Sequence, residues 1–108
     1  MAGEIPDGLA IERIWVVEAV YAPDAAERRT AVRAEHLARA AELREAGTIL
    51  EVGAFADMSG SLLLFRVPDE ETARALAQAD VYFRTGVWTE IRVRALGRVV
   101  SLDELAGD

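Results

Sequence analysis

The residues Ile14, Trp15, Val16, Val17, Glu18, Ala19, Val20 and Tyr21 form a β-branched and aromatic run that is apolar at nearly every position. Such a run, too short for a helix between its flanking breakers, reads as a strand. Its two alternating faces are both apolar, Trp15, Val17 and Ala19 on one side against Ile14, Val16 and Val20 on the other. The same holds for 61–67, where Leu62, Leu63, Leu64 and Phe65 follow without a break. A sheet built from these strands needs cover on both faces. Helices of the same chain can supply one cover, and a second copy of the chain packed sheet to sheet is the simplest source of the other.

The rest of the chain supplies the helices. From Asp24, a predicted N-cap, to Gly47 no breaker occurs, which predicts one long helix. Val32, His36, Ala40 and Leu43 share its inner stripe, with Leu37 and Ala41 beside it. Arg28, Glu35, Arg39 and Glu42 fall on the opposite, wet side, where Glu35 and Arg39 form an i,i+4 pair. Strands follow over 48–55 and 61–67, joined by a turn at 57–60. Asp69 caps a second helix whose first turn carries Glu70 and Glu71, the sign that the helix dipole favours there. Its inner stripe is Ala73, Leu76 and Ala77, and Asp80 continues it. The segment 88–96 alternates as a last strand, and Ser101 with Glu104 fits a capping box that starts a terminal helix. The order βαββαβ predicts an α+β, ferredoxin-like domain: a four-stranded antiparallel sheet with two helices on one face. Residues 1–12, with Gly3, Pro6 and Gly8, read as a flexible leader, 13–100 as the domain, and 101–108 as a short helical tail.

At 108 residues the chain is long enough for one core and too short for two. No apolar run approaches the ~20 residues of a membrane span, and the start lacks the basic-then-apolar layout of a signal peptide, so the expected location is cytoplasmic. The absence of cysteine removes disulfides, thiolate nucleophiles and cysteine metal sites. A net charge of -7 argues against nucleic acid as a partner. All twelve basic residues are arginine, so lysine Schiff-base chemistry is excluded as well. One histidine without cysteine offers no metal site, and phosphate-binding glycine loops are absent. No cofactor is expected.

Two titratable groups then stand out, because each falls on a buried stripe. His36 is the only histidine, and Asp80 is a carboxylate at the end of a helix whose dipole opposes it. Both helices lie on one sheet face in this topology, so the two side chains can meet near a sheet edge. A carboxylate on one ring nitrogen would fix the tautomer and raise the basicity of the other, making His36 the acid or base and Asp80 its orienter. The alternative for His36 is a core histidine satisfied by a backbone carbonyl, and for Asp80 an N-cap of the turn 81–84. Arg33 could hold a substrate carboxylate or lie over the helix surface into solvent, and Ser61 could donate a hydrogen bond to a ligand or serve only the turn. Trp15, Phe55, Phe65, Tyr82, Phe83 and Trp88 could line a pocket for a flat molecule, with Trp15 and Phe83 the first candidates, or form core and interface.

These residues resemble the YCII-related (YciI-like) proteins. The likeness is carried by Arg33-Ala34 with His36-Leu37, Glu45-Ala46-Gly47, Val52-Gly53-Ala54, Gly60-Ser61, Leu62 to Phe65, and Asp80 followed by Tyr82, Phe83 and Gly86-Val87. It implies a ferredoxin-like protomer of the dimeric α+β barrel superfamily, with a His-Asp pair that maps onto His36 and Asp80. Most members have no assigned reaction. The known exception is a dehydrochlorinase acting on a chlorinated hydroxyhydroquinone, and the wider superfamily includes isomerases, monooxygenases and cyclases. The chain departs from the family's usual Asp-Pro at Asp80-Val81 and from its Gly-Pro at Gly53-Ala54. Without the proline, φ behind Asp80 is less restrained.

Two functions follow as expectations. One is a cofactor-independent lyase, dehydrochlorinase or isomerase acting through a His-Asp dyad on a small aromatic or polyketide-like substrate. The other is a non-catalytic dimeric metabolite-binding or accessory protein.

Overall fold

The computed structural model describes residues 4–106. Its sheet is built from β1 (Leu9–Tyr21), β2 (Ile49–Ala54), β3 (Gly60–Phe65) and β4 (Trp88–Ser101) in the order β2-β3-β1-β4. All neighbours are antiparallel. Between the strands run α1 (Ala25–Arg28), a 3-10 turn (Arg29–Ala31), α2 (Arg33–Glu45), α3 (Glu70–Gln78), α4 (Val81–Arg84) and, after β4, α5 (Leu102–Ala106). This is the expected α+β, ferredoxin-like architecture. No helix among the described residues is long and apolar enough to cross a membrane.

The core lies between sheet and helices. Val17, Ala19 and Tyr21 from β1, with Leu63 and Phe65 from β3, pack against Ala25, Ala73, Ala77, Val81 and Tyr82. The small inward residues of α3 bring that helix close to the sheet. Gly60 has a similar steric cause, since a Cβ there would lie 2.1 Å from the Ala19 carbonyl oxygen. On the opposite face Val16, Val20, Leu62 and Leu64 form an apolar band crossed by the Arg94–Glu18 ion pair.

Four local expectations need correction. Strand one starts at Leu9 rather than at residue 13, so the leader over 1–12 is replaced by pairing from Leu9 onward, where Leu9 to Glu12 face Ser101 to Arg98. Met1 to Gly3 lie outside the described residues, as do Gly107 and Asp108 of the tail. The cause is non-local: a short, weakly patterned segment becomes a strand because β4 continues past Leu96 to receive it. Gly97 tolerates that closeness, a Cβ there falling 2.8 Å from Ile11 Cγ2.

The long helix is interrupted. Val32 adopts φ -120° and ψ 1° between the 3-10 turn and α2, and Thr30 Oγ1 donates to the Ala26 carbonyl at 3.1 Å, a back-bond that bends helices. Asp24 makes no capping bond and instead accepts from Arg28 at 2.9 and 3.2 Å. Finally, Asp80 is not the end of the α3 stripe: α3 stops at Gln78, and Asp80 opens α4. The other caps are as expected. Asp69 accepts the Thr72 N–H at 2.8 Å, and Ser101 and Glu104 bond reciprocally at 3.1 Å.

Candidate active site

The first turn of α2 turns His36 inward, with Ala40 one turn further on the same stripe. From the other side, the chain leaves α3 and enters α4 through Asp80, whose backbone is extended at φ -68° and ψ 141°. That conformation lets Oδ1 accept the Tyr82 N–H at 2.8 Å, an N-cap bond. The same oxygen lies 2.8 Å from His36 Nδ1. Arg39 donates from Nη1 to Oδ2 at 3.2 Å and from Nη2 to the Leu76 carbonyl at 2.9 Å. The capping role and the histidine-orienting role of Asp80 are therefore not alternatives, since one carboxylate performs both.

Burial is the largest influence on the Asp80 carboxyl and pushes its pKa up. The His36 and Tyr82 hydrogen bonds, with the charges of His36 and Arg39, outweigh it and hold the group below the ordinary carboxylate value. A carboxylate only accepts, so Nδ1 carries the hydrogen. In the neutral ring Nε2 then holds a free lone pair. No described residue bonds to Nε2, and it is not among the sealed, unpartnered atoms.

The ring's plane is fixed as well. His36 stacks on Tyr82 with centroids 3.7 Å apart and planes 7° from parallel, and Trp88 meets both rings edge-on at 5.6 and 5.7 Å. Burial also raises the Tyr82 hydroxyl pKa, which keeps it protonated.

His36 borders a cavity of about 150 Å³ whose walls include Tyr21, Arg29, Arg33, Ser61 and Tyr82. Ser61 Oγ donates to Tyr21 Oη at 3.1 Å. The structure thus brings His36, Asp80, Arg33 and Ser61 to one place. Trp15 and Phe83 do not line this cavity. Trp15 stands opposite Phe65, six residues along β1 from Tyr21, or about 20 Å at strand rise. Phe83 packs against the core, and it is the preceding residue, Tyr82, that faces the ring.

Three contributors lie outside the expected set. Arg39 falls on the predicted wet side, yet it reaches Asp80, and Glu35 pairs instead with Arg84 at 3.2 Å. Its i,i+3 spacing from His36 carried that signal. Arg29 had one too: positions 29, 33, 36 and 40 keep to a single helical stripe. Tyr21 sits on the sheet face that carries Val17 and Ala19 and had none. No group of three or more His, Cys, Asp or Glu gathers as a metal site among the described residues.

A ferredoxin-like domain with a buried His-Asp pair beside a small cavity defines the class of site. The YCII-related domain family matches residues 14–96, and the chain belongs to that family. It is similar to the protein YciI of Escherichia coli O6:H1, at 30% identity over 96 residues, covering 80% of this chain and 98% of the relative. The figures for YciI of Shigella flexneri are the same. Among solved structures it resembles 5-chloro-2-hydroxyhydroquinone dehydrochlorinase (TftG) from Burkholderia phenoliruptrix AC1100 in complex with 2,5-dihydroxybenzoquinone. That match has a TM-score of 0.66 and 19% identity, covering 75% of this chain and 90% of that one.

Proposed function

We propose that the protein is a small, cofactor-independent cytoplasmic enzyme of the lyase or isomerase type, in which Nε2 of His36 is the general base. One observation carries the reading: His36 Nδ1 is held by the ionised Asp80 at 2.8 Å, leaving the other ring nitrogen unbonded at the edge of a ligand-sized cavity. Nε2 takes a proton from a hydroxyl group, or from a carbon next to a carbonyl. The electron pair left behind enters the ring or carbonyl system. It then expels a leaving group with its electrons, or is reprotonated at another substrate atom. Asp80 stabilises the imidazolium, and Arg39 and the Tyr82 N–H keep Asp80 aimed.

The structural resemblance to a dehydrochlorinase that binds a hydroxyquinone supports this substrate type. The apolar band on the second sheet face supports a homodimer packed sheet to sheet, which would cover the half-buried Val20, Leu62 and Leu64.

Proton abstraction can be read directly. With 2,5-dihydroxybenzoquinone in deuterium oxide, the wild type is expected to accelerate deuterium entry at the ring carbons. His36→Gln should lose about 10²- to 10⁴-fold of that acceleration, with an unchanged circular dichroism spectrum. Equal exchange by the two proteins overturns the base assignment. A wild type that binds the compound without exchanging it would instead make the protein a metabolite-binding module.

A further inference from the structure

Nine of the chain's twelve arginines make ion pairs with acidic side chains among the described residues. Arg13 lies over the Trp15 ring. Arg29 and Arg33 remain, and both border the His36 cavity. In a chain with nineteen acidic residues, no acidic side chain lines that cavity. Asp80, which touches His36 from behind the lining, is already engaged by His36, Arg39 and the Tyr82 N–H.

The hydroxyl groups point to the same chemistry. Tyr21 Oη accepts from Ser61, which leaves its own O–H as a donor without a partner among the described residues. The Tyr82 hydroxyl also lacks a partner there, and it lies within the field of Arg29 and Arg33. The cavity therefore offers two guanidinium groups and two phenolic donors, against the Nε2 lone pair as its base. Such a surface is complementary to a compact molecule rich in acceptor oxygens and negatively charged. A volume near 150 Å³ admits about one six-membered ring.

We propose that Arg29 and Arg33 form an oxyanion subsite beside the dyad, so that the substrate is a monocyclic aromatic or enolic acid bound as its carboxylate or phenolate. This rests on the cavity being the reaction site proposed above. The arginines hold the anionic oxygen, and His36 faces the atom that loses the proton.

Benzoate and benzamide, nearly the same in shape and different in charge, are suitable probes, with binding followed by isothermal titration. The wild type is expected to bind benzoate at least about tenfold more tightly than benzamide. Arg29→Gln and Arg33→Gln should each weaken benzoate about tenfold or more, as loss of a charge-assisted hydrogen bond requires, and leave benzamide unchanged. Arg92→Gln, which removes a surface pair with Glu90, should change neither. Equal affinity for the two probes, no saturable benzoate binding, or arginine variants that bind benzoate like the wild type would each overturn the subsite. His36→Gln separates the two proposals. It should abolish deuterium exchange and retain benzoate binding, whereas exchange that survives with arginine-dependent benzoate binding would remove the dyad and keep the subsite.

Discussion

Two carboxylates in this molecule each gather two nitrogen-bearing side chains, and they do different work. Glu12 on β1 receives Arg66 at 2.7 and 3.0 Å and Arg98 at 3.1 Å, while Arg98 also reaches Glu104 at 3.3 Å. Asp80 receives Arg39 and, in place of a second guanidinium, an imidazole. Guanidinium groups stay charged at every physiological pH, so the Glu12 cluster has one state and acts as a brace tying β1, β4 and α5 to the end of β3. An imidazole has two protonation states and a second nitrogen. That difference, with the cavity on its far side, makes one cluster a candidate for proton transfer and leaves the other structural.

The sharpest way to break this contrast is to delete each carboxylate. The Asp80 side chain is 3% exposed and that of Glu12 15%, with Arg66 39% exposed. Asp80→Ala removes a cap and leaves the His36 Nδ1–H and the Tyr82 N–H without their acceptor inside the protein. We expect a loss of about 2 to 4 kcal/mol in urea denaturation. Glu12→Ala frees arginines that water can solvate, so about 1 kcal/mol or less is expected. Equal losses would mean that the two clusters are energetically alike.

Acid titration gives a smaller but more specific contrast. The folded Asp80 carboxyl protonates below its ordinary value of 3.8. Its contribution to stability is therefore fully present above that value and is lost as pH falls through the lower folded pKa. Glu12 is also lowered, chiefly by the Arg66 hydrogen bond, from 4.5, so its window opens at a higher pH. Melting temperature measured from neutral pH into the acid range should fall less steeply in Asp80→Asn at low and at high salt. In Glu12→Gln the flattening should be confined to low salt, because that pair is screened. Salt erasing the Asp80 effect would show that this carboxylate is hydrated rather than enclosed.

The sequence makes one half of the dyad's surroundings legible and hides the other. His36 is readable because helical periodicity is local: once the helix is recognised, positions 32, 36, 40 and 43 declare a face. Arg39 is only half so: its i,i+3 spacing sets it beside His36, but its wheel position is on the wet side, and only a long side chain bending round the helix edge reaches the buried acceptor. The break at Val32 comes with a back-bond from Thr30 to the Ala26 carbonyl, which a wheel does not register. The β1–β4 extension was hidden for another reason. Leu9, Ala10, Ile11 and Glu12 have no strong pattern of their own and become a strand only through pairing with Ser101, Val100, Val99 and Arg98 at the far end of the chain. Trp15 and Phe83 invite a pocket reading by their chemistry, yet their strand and helix positions place them elsewhere. Apolar pattern specifies burial, and register decides which buried residues share a cavity.

The smallest effect concerns how Asp80 keeps its aim without the proline usual in the family. Its backbone, at φ -68° and ψ 141°, already occupies the extended region that a residue before proline requires. Val81 is the first residue of α4 and its N–H makes no backbone hydrogen bond, so a proline there forfeits none. Val81→Pro should therefore reduce the freedom of the unfolded chain and stabilise the protein by about 0.5 kcal/mol, net of some lost packing at a buried site. A rise in melting temperature of about 2 to 4 °C would register it. The deuterium exchange rate should stay unchanged, because the Tyr82 N–H already fixes the carboxylate. Glu12, in mid-strand, offers no such position, since a proline at its ladder neighbours would remove sheet hydrogen bonds. A melting temperature that falls in Val81→Pro would show that the packing of Val81 outweighs its backbone, and that Asp80 is aimed by the core beneath it rather than by its cap.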